Sequence, residues 1–67
     1  MSRQNPATSV YVIRDIYFDG KVTPPTKVYV TECIDGYMYV GTLTLYFVKC
    51  QNGKIIATYK GTLLLKE

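Results

Sequence analysis

The side chains able to do chemistry in this chain are few: Cys33 and Cys50, the acids Asp15, Asp19, Glu32, Asp35 and Glu67, and no histidine at all. Without histidine, neither a Ser-His-Asp nor a Cys-His nucleophile can be assembled, and the commonest metal ligand is missing. Two cysteines are half of a structural zinc site, so no metal or other cofactor is expected. Asp19 and Asp35 each precede a glycine, where a carboxylate serves a turn. Asp15 and Glu32 could meet on adjacent strands, but Arg14 and Lys60 are the partners expected for them. No phosphate-binding glycine pattern occurs. No catalytic residue can be nominated, and the chain is expected not to be an enzyme.

The charges narrow the partners only slightly. Eight basic residues against five acids leave a net charge of +3. Arg3, Arg14, Lys21, Lys27, Lys49, Lys54, Lys60 and Lys66 are scattered, whereas a nucleic-acid binder usually gathers them in a patch. The opening MSRQNPATS lacks the apolar stretch of a secretory signal, and no run of about 18 apolar residues could cross a membrane as a helix. With only two cysteines, the expected location is cytoplasmic.

The elements that must position these residues are strands. Tyr, Val, Ile, Thr and Leu alternate along the chain, and no segment has helical apolar spacing. Residues 1–9 are expected to be a flexible arm, and residues 10–67 a single small β domain. VYVIRDIYF (10–18) is the first strand. Pro24 and Pro25 exclude ladder pairing in the loop that follows. KVYVTECI (27–34) and residues 37–50 are joined by Asp35-Gly36, and Asn52-Gly53 begins the return; both dipeptides suit type I′ hairpin turns. Residues 54–66 form one bent strand or two short ones, with the break expected at Gly61. The fold expected is all-β: a small antiparallel meander of four or five strands, bent into a partial SH3- or OB-like barrel. The bend of the long third strand is expected at Gly41, which has no side chain to hold it flat.

Counting back from the two turns assigns faces, because strand side chains alternate. One face receives Val28, Val30, Ile34, Tyr37, Tyr39, Leu43, Leu45, Phe47, Ile56 and Leu64. The other receives Tyr29, Cys33, Met38, Val40, Tyr46, Val48, Cys50, Ile55, Ala57, Tyr59, Leu63 and Leu65, too apolar for an ordinary solvent face. On this count Cys33 lies opposite Met38. Cys50 is twelve residues further along, about 40 Å in a straight sheet, against about 5.5 Å between bridged Cα atoms. The cysteines are therefore expected unbridged, as small buried hydrophobes.

A chain of 67 residues has one marginal core, and burying a second apolar face would contribute as much again. The expected function is a small non-enzymatic protein-interaction module that self-associates as a dimer through a tyrosine-rich face, with Tyr29, Met38, Val40, Tyr46, Val48 and Tyr59 as interface residues. Its size suits a phage- or plasmid-type accessory protein that engages a host protein. The alternative is a nucleic-acid-binding barrel in which Lys27, Tyr29, Tyr46, Tyr59 and Lys60 hold single strands by stacking and charge.

Overall fold

A computed structural model describes residues 6–66 of the chain. Four strands make up almost all of it: β1 (Ser9–Asp19), β2 (Lys27–Ile34), β3 (Tyr37–Gln51) and β4 (Lys54–Leu65). They form one antiparallel sheet in the order β1-β4-β3-β2. Both hairpin turns are of the kind the dipeptides require: φ is 52° and 84° at Asp35 and Gly36, and 53° and 77° at Asn52 and Gly53. Strands β2, β3 and β4 are thus a meander, while β1 leaves β2 and lies along the far side of β4. The sheet curls into a half-barrel whose open seam runs between its two edge strands, β1 and β2. Of the expected arm, Ala7 and Thr8 are docked: the Thr8 carbonyl accepts from the Leu65 N–H at 2.9 Å. Residues 1–5 of that arm lie outside the described residues.

Two glycines allow the curl. A Cβ on Gly41 would stand 2.7 Å from the Thr62 carbonyl oxygen and 3.0 Å from Leu63 Cδ2. A Cβ on Gly61 would stand 2.8 Å from the Thr42 oxygen and 3.0 Å from Leu43 Cδ2. Each leucine therefore lies over the glycine of the opposite strand, and Leu43 and Leu63 are both fully buried. Gly41 and Gly61 are a reciprocal pair, and β4 runs through Gly61 unbroken, contrary to the break expected there. The register irregularity falls not at Gly41 but between Leu45 and Phe47, where Tyr46 is the extra residue. A bulge sharpens the local twist of a long strand.

That bulge reverses the parity of the count. The turn at Asn52-Gly53 correctly pairs Cys50 with Ile55, Val48 with Ala57 and Phe47 with Thr58, but beyond Tyr46 it is Leu45 that faces Tyr59. Tyr59, Ala57 and Leu63, expected outward, are consequently interior, with Val12, Tyr39 and Leu43. Leu64 and Phe47, expected inside, are exposed. The two interior tyrosines carry their hydroxyls to backbone: Tyr39 donates to the Ala7 carbonyl and Tyr59 to the Pro25 carbonyl, each at 2.7 Å. These bonds tie the irregular segments on either side of β1 to the core, as a buried phenol usually demands.

The core is slender. The described residues extend 52 × 19 × 14 Å, with a radius of gyration of 14.7 Å, where a compact chain of this length would have about 11 Å. Across the seam, Arg14 on β1 grips Glu32 on β2 with both carboxylate oxygens engaged: Nε donates at 3.1 and 2.9 Å and Nη2 at 2.7 Å. The Glu32 bond raises the Arg14 guanidinium above its ordinary range, with partial burial opposing. A bidentate, charge-assisted pair in a partly exposed setting contributes about 1 kcal/mol. Arg14→Gln and Glu32→Gln are each expected to lower urea-unfolding stability by about that amount, and the double variant by no more than the worse single one. Additive losses would show that the two side chains act separately.

Candidate interaction surface

The curl gives the sheet a concave, filled side and a convex side, and alternation decides what each strand turns outward. On β1 the convex residues are Ser9, Tyr11, Ile13, Asp15, Tyr17 and Asp19, of which Tyr11, Ile13 and Tyr17 are 60, 57 and 67% exposed. They alternate with Val10, Val12, Ile16 and Phe18, which pack in the core or against it. On β4 the register places Leu64, Thr62, Lys60 and Thr58 outward, and on β2 Lys27, Tyr29 and Thr31. On β3 Met38, Val40, Thr42 and Thr44 look the same way up to the bulge.

The expected interface residues separate on this geometry. Tyr29, Met38 and Tyr46 are exposed on the convex side, and Val40 is half-buried beside Leu64. Val48 is exposed but belongs to the concave side, because it lies beyond the bulge opposite Ala57. Tyr59 is removed from the surface altogether, so it can serve neither as interface nor as a stacking platform. Cys33, on edge strand β2, and Cys50, beside the Asn52-Gly53 turn, are free and exposed rather than buried. The β1 residues Tyr11, Ile13 and Tyr17 went unassigned in sequence because no tight turn anchors the register of β1. The alternation within VYVIRDIYF was the signal that could have found them.

The polar part of the convex side lies mid-sheet. Lys60 sits over the Tyr46 ring, its Nζ 3.7 Å from the centroid. Lys60 pairs across with Thr44, and Thr44 with Lys27, so the two lysines share one row. Asp15 accepts from the Thr58 hydroxyl at 2.7 Å, and Asp19 pairs with Lys54 at 3.4 Å. The possible Asp15–Glu32 acid pair does not form, since Glu32 is committed to Arg14 and Asp15 to Thr58. Two open clefts lie at the ends of the molecule. One, of about 280 Å³, is lined by Val10, Ile34, Tyr37 and Tyr39, and the other, of about 440 Å³, by Tyr17, Phe18, Val22 and Lys54. Neither lining set joins a nucleophile to a base. Among the described residues no group of three or more potential ligands could hold a metal, and no helix is long and apolar enough to cross a membrane.

The fold and this surface define a class of protein: a small, strongly curled antiparallel half-barrel that shows apolar and tyrosine side chains on its convex side. No family model, no curated protein and no solved structure gives a significant match to this chain.

Proposed function

We propose that the chain is a non-enzymatic protein-interaction module that associates with copies of itself through its convex, tyrosine-bearing face. One observation carries this reading: β1 turns Tyr11, Ile13 and Tyr17 to solvent, while Leu64, Tyr29 and Met38 do the same on the other three strands. Antiparallel sheets that are wet on one side normally place polar residues there. Covering a few hundred Å² of such surface contributes several kcal/mol at about 25 cal/mol per Å². The stability of the whole chain is of that order. Tyrosine suits the task, offering a large rigid area with a polar tip.

The test is sedimentation equilibrium on wild type and on a Met38→Lys/Leu64→Lys double variant, both checked for native circular dichroism. The wild type is expected to associate with rising concentration, and the variant to need at least tenfold more protein for the same degree of association. A wild type that stays monomeric throughout, or a variant indistinguishable from it, would overturn the reading.

A second reading rests on the Tyr46–Lys60 stack, with Lys27 in the same row and Tyr29 next to it on β2. These could hold a single-stranded nucleic acid by stacking and phosphate contacts. The reading makes a separate demand: affinity for a single-stranded oligonucleotide that falls steeply as salt rises. No binding at low salt would dismiss it.

A further inference from the structure

The longest strand outruns its neighbour. β3 extends from Tyr37 to Gln51, but β2 pairs only as far as Thr44, and its last link is the Thr26 carbonyl accepting from the Leu45 N–H at 2.8 Å. From Tyr46 to Gln51, β3 has β4 on one side and, among the described residues, no strand on the other. Tyr46, Phe47 and Val48 follow one another in sequence and are 64, 54 and 40% exposed. Tyr46 and Phe47 lie on the convex side and Val48 on the concave side, so their exposure means that the strand is uncovered on both faces as well as along its edge. Natural edges of this kind are usually blunted by proline, by charges, by a bulge or by a covering loop. This one has no proline and a single charge, Lys49, and its bulge is confined to Tyr46 at the start, so residues 47–51 run in regular register with β4.

We propose that the Tyr46–Gln51 edge of β3 is a strand-pairing site for the same edge of a second copy of this chain, related to the first by a two-fold axis. The occupant follows from the sequence of the edge itself. Opposed residues of an antiparallel pair share a face, and a two-fold axis makes the contact self-complementary. Centring the axis on Val48 sets Val48 against the partner's Val48 on the concave side. It also sets Phe47 against the partner's Lys49 on the convex side, a ring facing an ammonium. Moving the centre to Lys49 would oppose the two lysines, which like-charge repulsion disfavours, and moving it to Phe47 would set Lys49 against Leu45, whose N–H is already taken by the Thr26 carbonyl. The paired edges would join two curled sheets into one of eight strands. This contact is distinct from the convex face and uses neither Met38 nor Leu64.

Cysteine cross-linking in a Cys33→Ser/Cys50→Ser background tests it. In the proposed register the two Val48 Cα atoms stand about 4.5–5.5 Å apart, within the range a disulfide spans. Residues at position 49 are offset diagonally, at about 7–8 Å. Val48→Cys is expected to oxidise to a covalent dimer at least tenfold faster than Lys49→Cys. Backbone amides of residues 46–51 are expected to gain hydrogen-exchange protection as the wild type is concentrated. Met38→Lys/Leu64→Lys should leave both results intact, so failure of the convex reading and failure of this one are separable. Faster cross-linking at position 49, no cross-linking at either position, or protection of the edge only when a different protein is added would each overturn the proposal. Val48→Lys, which would oppose two lysines, is expected to abolish the concentration-dependent protection. Unchanged protection in that variant would overturn it too.

Discussion

Gly61→Val is expected to abolish the folded state. The Cβ alone would enter within 2.8 Å of the Thr42 carbonyl oxygen and 3.2 Å of Leu43 Cα, both on the backbone side of a neighbouring strand. A flexible side chain could swing away from such a contact, but paired strands cannot part without breaking the ladder and opening the curl. Overpacking of a tight site costs about 1–3 kcal/mol and sometimes more. Alanine at position 61 is expected at the upper end of that range. Valine adds two further methyl groups where Leu43 already fills the space, against a total stability of about 3–10 kcal/mol for a chain this short. Circular dichroism and urea unfolding are the measurements. Thr62→Val, one position along on the convex side, is the control and should change stability by no more than about 0.5 kcal/mol. A Gly61→Val variant with a near-native unfolding midpoint would show that the glycine–leucine stacking does not set the curl.

The second large effect is at Tyr59. Tyr59→Ala is expected to lose about 3–5 kcal/mol, the usual cost of emptying an aromatic site in a core. Tyr59→Phe keeps the ring but leaves the Pro25 carbonyl without its donor, for about 1–2 kcal/mol. Tyr29→Ala, on the convex side, should be nearly neutral toward folding of the isolated chain. Burial also pushes the Tyr59 phenol above its ordinary pKa of 10.0. The neutral phenol is the form the fold favours, so its contribution is complete below pH about 10 and is lost as pH rises through the folded value. A spectrophotometric titration should therefore show phenolate at this site appearing late and together with unfolding. If Tyr59→Ala behaved like Tyr29→Ala, the interior placement would be wrong, and the outward placement suggested by turn counting would return.

The contrast between these tyrosines shows how far residue patterns reach in this protein. The type I′ turns at Asp35-Gly36 and Asn52-Gly53 are local chemistry: two residues at positive φ admit few other arrangements. The all-β class and the β2–β3 register, from Ile34 opposite Tyr37 to Val28 opposite Leu43, follow directly from alternation and that turn. Alternation, however, carries its phase only as far as the next irregularity. Tyr46 looks like any other residue of LYFVKC, yet as a bulge it moves Tyr59, Ala57 and Leu63 from the surface to the core. The candidate site inherited that error. Tyr29, Met38 and Tyr46 are on one convex surface, Val48 is on the other side, and Tyr59 is inside.

Residue order alone determined that this chain forms antiparallel strands, where its hairpins turn, and that it offers apolar side chains in two directions. Each of these follows from steric limits on a few neighbouring residues. Only the tertiary structure decided that β1 lies beside β4, that Arg14 closes on Glu32 across the seam, and that Gly41 and Gly61 receive Leu63 and Leu43. Those pairings join residues far apart in the chain, and what selects them is the fit of one curled surface to itself. The same fit leaves six residues of β3 with β4 alone beside them.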